Sequence, residues 1–287
     1  MTYEQFLDRL EQELCLLTGK GESIRRVRVL KNNGVKLDGF SCCVEGRREQ
    51  PTVYVNHYFS GDMRPGDLKK LAEQILKVQK ESLLARGGEL LQVLKYENMK
   101  GRIFYRLISR EMNEELLRDV PHLLWLDLAI VFYLKIPEEI IDNATALIHN
   151  SHMERWGIDI KELYRTAAEN MAGIPVMLEP MEQILRDCGL DSKTSGMYVL
   201  GIRGREYGAA VMLNPGVLRM CFERIGEEYY VLPSSIHEVI LLPASCSDSA
   251  AELEGLVREV NESCISREDY LSGHVYRYIS GSGELKL

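Results

Sequence analysis

Ser234-Ser235-Ile236-His237-Glu238 puts two hydroxyls, an imidazole and a carboxylate within one short stretch. A serine activated by a histidine, with a carboxylate to orient the ring, is the chemistry of acyl transfer. Ser234, Ser235, His237 and Glu238 are therefore the candidate catalytic residues. The surrounding run, YYVLPSSIHEVILLP (229–243), is apolar on both sides. It leaves little room for a helix before Pro243, and its Val and Ile content predicts two strands joined by a Pro-Ser-Ser turn. In a strand His237 and Glu238 point to opposite faces, while Ser235 and His237 share one. Side chains that stand parallel do not converge, so strand geometry works against a dyad. The zinc-peptidase pattern H-E-x-x-H is also broken, because residue 241 is Leu. A hairpin whose hydroxyls bond local backbone explains the same letters.

A second group is His149-x-x-His152 with Glu154 two residues on. Imidazole and carboxylate are ligands for zinc and other transition metals, so His149, His152 and Glu154 are the candidate metal ligands. A turn at Asn150-Ser151 would bring the two rings together, and a further ligand would have to come from elsewhere. A third group, His57, Asp62 and Asp67, lies among Gly61, Pro65 and Gly66 and reads as turn chemistry, with Asp67 as a helix N-cap. It lacks the alternating acids and final Glu of a calcium loop. Gly201, Gly204 and Gly208 do not form a dinucleotide fingerprint. No phosphate loop or G-x-S-x-G elbow occurs. No cofactor is expected.

The elements that must position these groups follow from periodicity. Thr2 and Gln5 form a capping box ahead of Phe6, Leu7, Leu10, Leu14 and Leu17 at helical spacing. RRVRVLKNNGVKLDGFSCCV predicts a hairpin about Asn33-Gly34, and PTVYVNHYF a third strand. A helix opens near Gly66-Asp67. These make a unit of helix, antiparallel sheet and helix over residues 1–90, with Arg86-Gly87-Gly88 as the break. The remainder, 91–287, alternates: strands at GRIFYRLIS, at 127–136 and at 144–152, a helix capped by Asp159, and another near 180–188 ended by Gly189. MYVLGI and YGAAVML then predict two strands before a helix capped by Asn214 with Pro215 as its first residue. YYVLP and HEVILLP predict two more before a helix capped by Ser249, and HVYRYIS a last strand. This ββα-ββα pattern gives an α+β fold of mostly antiparallel sheets with flanking helices.

The 287 residues carry a formal charge of -8, which argues against general nucleic-acid binding. No apolar run is long enough to span a membrane. The seven cysteines are odd in number and without C-x-x-C, and the N-terminus is amphipathic and acidic rather than a signal sequence. These features predict reduced thiols and a cytoplasmic protein. Cys42 and Cys43, adjacent in a strand, face opposite ways and share no role.

Four strings resemble a family rather than a chemistry: RDVPHLLWLDLAIVFYLKI (118–136), WGIDIKELYRTAAEN (156–170), YYVLPSSIHEVILLP and YLSGHVYRY (270–278). They are similar to domain-of-unknown-function family 5688, found largely in gut-dwelling anaerobic Firmicutes. The resemblance implies a bacterial cytosolic protein and transfers no residue roles. With each polar cluster explained locally, the expectation is a non-enzymatic binding module with a protein or peptide partner. The alternatives are a hydrolase or transferase near His237, or a metal site at His149 and His152.

Overall fold

The computed structural model describes residues 1–45, 52–84, 95–136, 145–189, 196–204, 206–247 and 249–287. Two compact units emerge, one of Met1–Lys31 with Val35–Leu94, the other of Asn32–Gly34 with Lys95–Leu287. The chain is α+β with antiparallel sheets. The expected break at Arg86-Gly87-Gly88 lies outside the described residues.

The first unit sets helices α1 (Tyr3–Leu17) and α2 (Pro65–Leu84) beside a sheet ordered β1 (Glu22–Leu30), β2 (Lys36–Val44), β3 (Thr52–Tyr54). Thr2 accepts from the Gln5 amide and Gln5 answers to the Thr2 amide, completing the capping box. Phe6, Leu7, Leu10 and Leu14 are fully buried against Phe40, Val55, Leu71 and Ile75. Charge finishes the solvent side, where Arg26 reaches Glu4 and Asp8. Asp67 is not the N-cap. It is the third residue of α2, and its carboxylate accepts from the Arg64 amide. Cys42 is buried and Cys43 half-buried, and none of the seven cysteines is in a disulfide.

The second unit contains two sheets. In one, β4 (Ile103–Ser109), β6 (Leu128–Lys135) and β5 (His122–Trp125) lie side by side, with β7 (Thr145–Leu147) also paired to β6. β6 is buried along nearly its whole length, which accounts for its continuous apolar sequence. The turn from β5 into β6 uses Leu126 at φ 53°, a left-handed conformation. The other sheet is ordered β13 (Glu284–Lys286), β12 (Tyr276–Ile279), β10 (Tyr229–Leu232), β11 (Val239–Pro243), β9 (Tyr198–Ile202), β8 (Val176–Pro180). Helices α3 (Tyr96–Met99), α4 (Glu114–Leu117), α5 (Asn150–Trp156), α6 (Ile160–Ala172), α7 (Met181–Asp187), α8 (Pro215–Ile225) and α9 (Ala250–Cys264) complete the unit. Asp159, Asn214 and Ser249 cap α6, α8 and α9 as their positions predict. Leu253 and Val257 press α9 onto Tyr230, Leu232 and Leu242 of the larger sheet. Within this unit Asn33, at φ 55°, shares two hydrogen bonds with Asn113, both buried.

Several expectations fail locally. YGAAVML is not a strand: Gly208–Leu213 winds as a 3-10 helix after Tyr207, itself left-handed at φ 56°. The first ββα unit therefore lacks its second strand. Among the described residues of the predicted strand at 144–152, only Thr145–Leu147 lie in a strand, since α5 begins at Asn150. β11 starts at Val239, so Ser234 to Glu238 do not alternate on a strand. The short strands β5, β8 and β13 have too few residues for a period to show. Among the described residues no helix is long and apolar enough to cross a membrane.

The burial of α1 makes a paired prediction. Leu10→Ala should lower unfolding stability by about 2–5 kcal/mol, as large-to-small changes in a packed core do. Leu16→Ala, at a side chain 79% exposed, should change it by less than about 0.5 kcal/mol. Urea denaturation of both variants checks the orientation of the helix, and equal losses would contradict it.

Candidate functional site

His237 sits in the irregular passage between β10 and β11, in the second unit. Its Nδ1 accepts from the Tyr207 amide at 3.3 Å, and its Nε2 lies 3.1 Å from Asp269 Oδ1. An amide only donates, so Nδ1 is the bare nitrogen and Nε2 carries the proton given to Asp269. Ser266 donates to the other oxygen of Asp269 at 2.7 Å. The Tyr207 ring stacks on the imidazole at 5.7 Å and carries the Arg106 guanidinium at 4.6 Å. Both ring nitrogens are thus engaged. Ser235 Oγ accepts from the His237 amide at 3.0 Å, which is local turn bonding. Among the described residues neither Ser234 nor Ser235 is hydrogen-bonded to an imidazole nitrogen, and Glu238 has no hydrogen bond to His237. Asp269, a residue that sequence reading missed, is the carboxylate that reaches the ring.

His149 and His152 do come together. Their rings are 5.6 Å apart and nearly perpendicular. His149 Nδ1 lies 2.7 Å from Asp119 Oδ2, and His152 Nδ1 accepts from the His149 amide at 3.0 Å. His152 is held below the usual imidazole range, first by burial and then by the charges of His149 and Arg155. Glu154 does not join them as a third ligand. Among the described residues no group of three or more His, Cys, Asp and Glu side chains is placed to hold a metal ion. In the third group Ser60 donates to Asp62, and His57 packs on Tyr58.

The strongest convergence of polar groups lies elsewhere in the second unit. A cleft of about 410 Å³ opens between one face of α9 and the chain ends around it. Glu254, Arg258, Asn261 and Glu262 come from α9, at spacings of four, three and one that share a helical face. Ser109 ends β4 and Glu111 lies in the turn after it, Asp127 comes from the turn before β6, and Tyr270, Ser272, Gly273 and His274 from the loop before β12. Asp127 organises this wall. One of its oxygens accepts from Ser272 Oγ and the other from Tyr276 Oη, each at 2.6 Å. Ser272 in turn accepts from the His274 amide through Oγ and from Asn261 Nδ2 through its carbonyl. The remaining Asn261 Oδ1 has no partner among the described residues, although Asn261 is only 8% exposed. His274 Nδ1 stands 3.6 Å from Glu254. The cleft holds four carboxylates against one guanidinium, a formal excess of three negative charges with His274 neutral. That field shows in Tyr270, whose hydroxyl is pushed above the usual phenol range by burial first and by Asp127 and Glu111 next. The α9 face was visible in principle as charged residues four apart opposite Leu253 and Val257. Its partners at 109–127 and 270–274 carry no local signal.

A model for a family of unknown function, DUF5688, matches residues 3–280 of the chain. No curated protein and no solved structure matches it.

Two outcomes follow from this geometry. A β-carbon on Gly208 would lie 2.4 Å from the His237 carbonyl and 2.8 Å from the Ile202 amide. Gly208→Ala should therefore cost about 1–3 kcal/mol of stability through overpacking and shift the His237 ring resonances. A stable variant with an unmoved imidazole would contradict the placement. For His152, a folded pKa below the unfolded value means that stability is complete above about pH 6.5 and falls as pH drops beneath it. The melting temperature should decline between about pH 7 and about pH 5, and His152→Gln should flatten that decline. An unchanged slope in the variant would show that other groups carry it.

Proposed function

We propose, for a chain that belongs to the DUF5688 family of unknown function, that it is a non-enzymatic binding protein whose ligand site is the cleft beside α9. One observation carries the reading. Four separated stretches of the second unit bring polar groups to a single concavity, and Glu111, Arg258 and Glu262 there have no hydrogen-bond or ion-pair partner among the described residues. Concave sites of this size with a few convergent polar groups are where small ligands bind. These three side chains are exposed, so their charges are met by water that a ligand of opposite charge would replace. The candidate catalytic residues are used differently, since His237 has both nitrogens committed and no serine hydroxyl at either.

A second reading, a hydrolase or transferase at His237, is favoured by the Asp269 bond. A carboxylate on one nitrogen of an imidazole orients it for proton transfer at the other. That role requires the long 3.3 Å bond from the Tyr207 amide to give way when substrate arrives.

A melting-temperature screen of the full chain separates the two readings. The probes are small cationic, anionic and neutral metabolites, tested on the natural sequence and on Glu262→Arg. The binding reading expects at least one probe to raise the melting temperature, and Glu262→Arg, an exposed position, to abolish the rise. Probe shifts indifferent to Glu262→Arg would contradict the site. Turnover of an ester or peptide substrate that His237→Ala removes at unchanged melting temperature would replace the binding reading with the hydrolytic one.

A further inference from the structure

A second hollow, of about 200 Å³, lies in the second unit between α6, β4 and the 3-10 helix at Gly208–Leu213. β4 turns Tyr105 towards α6, where its ring stacks on Tyr164 at 5.9 Å and 10°. Tyr164, Ala168 and Met171 stand four and three apart on one helical face. Alanine at 168 leaves space that a larger side chain would take. Val176 of β8 and Val217 of α8 add apolar wall. The hollow shares no lining residue with the cleft beside α9, and neither site depends on the other.

The lining states what it accepts. Among the described residues around the hollow there is no Asp, Glu, Lys, Arg or His. A charged guest would shed water there and meet no counter-charge. One polar group stands out. Tyr105 is only 6% exposed. Its hydroxyl has no hydrogen-bond partner among the described residues, yet it is not sealed off, so a guest in the hollow can reach it. Burial first, and the neighbouring Tyr164 phenol next, push this hydroxyl up to about 12. It therefore keeps its proton at neutral pH and offers it as a donor. Water in the hollow satisfies the hydroxyl but faces hydrocarbon on most other sides, and an apolar body displaces such water at a gain. Two parallel tyrosine rings and a methionine favour a flat aromatic body. The volume suits one, since a cavity of about 150 Å³ in another protein holds benzene.

We infer that this hollow binds a small neutral aromatic molecule with one oxygen, which accepts a hydrogen bond from the Tyr105 hydroxyl. Methyl-detected NMR titration of the full chain tests it. The probes are p-cresol, acetophenone, toluene, cyclohexanol, benzoate and benzylamine. Overhauser contacts from the ring protons of p-cresol to the Met171 and Val217 methyls should locate the site without any variant. p-Cresol and acetophenone should bind about threefold to tenfold more tightly than toluene, the range of one neutral hydrogen bond. Tyr105→Phe should bring both to the level of toluene and leave toluene unchanged. Ala168→Leu should fill the hollow and abolish binding of all three. Cyclohexanol should bind more weakly than p-cresol, and benzoate and benzylamine should give no shifts there. Contacts that fall elsewhere, the cleft beside α9 included, would overturn the site. p-Cresol binding indifferent to Tyr105→Phe would overturn the role of the hydroxyl and with it the class of guest. Cyclohexanol binding as tightly as p-cresol would overturn the aromatic body, and benzoate or benzylamine in the hollow would overturn neutrality. Silence from every probe would overturn the inference as a whole.

Discussion

A carboxylate drawn towards the interior must be met by donors, and the way Asp127 is met shapes the second unit. Leu126, left-handed at φ 53°, turns the chain so that Asp127 leaves the β5–β6 hairpin facing Ser272 and Tyr276. Both bonds are short and charge-assisted, the stronger kind in a protein. Their partners lie 145 and 149 residues further along the chain. The backbone joins in, since the Arg110 amide donates to the Asp127 carbonyl. One residue therefore ties the smaller sheet, the loop before β12 and the first turn after β4 to one point. These are the walls of the cleft. Burial and the Asp127 charge both raise the Tyr276 hydroxyl well above the phenol range, so it stays a donor. Ser272 then passes the constraint to Asn261 and hence to α9.

The two polar centres of this unit differ in how completely they are satisfied. At His237 each group has found a partner: the Tyr207 amide, Asp269, and Ser266 behind it. A saturated network rigidifies a passage that would otherwise be irregular backbone, and close contact at Gly208 seals it. At the cleft Asp127 and Ser272 are fully bonded, Asn261 Oδ1 is buried without a partner among the described residues, and Glu111, Arg258 and Glu262 are exposed. The acidic excess has a cost in mutual repulsion.

Much of the frame was legible from residues close in sequence. The caps at Thr2, Asp159, Asn214 and Ser249 are decided by side chains that reach three residues or fewer. The apolar run of β6 announced a strand, which the fold buries along nearly its whole length. Cys42 and Cys43 divided between the two faces of β2 as alternation requires. The sites were legible only in fragments. Ser235 and His237 drew notice because they are neighbours, yet the carboxylate that meets the ring is Asp269, which no spacing connects to it. Asp127 and Tyr276 drew none, because a lone Asp at a turn and a lone Tyr in a strand are ordinary. The 3-10 helix at 208–213 was hidden for a different reason. Its small and apolar letters suit a strand, and the close approach of Gly208 to the His237 carbonyl is a tertiary fact that they do not carry.

The central claim is that the Asp127-anchored cleft is where this protein meets its ligand. The most direct measurement is an amide and side-chain NMR titration of the labelled full chain with the metabolite that raises its melting temperature most. The account predicts perturbations gathered at residues 109–111, 127, 254–262 and 270–274, with the Asn261 side-chain amide among the most affected. Perturbations centred on Tyr207, His237 and Asp269, or none in the cleft at saturating ligand, would contradict it.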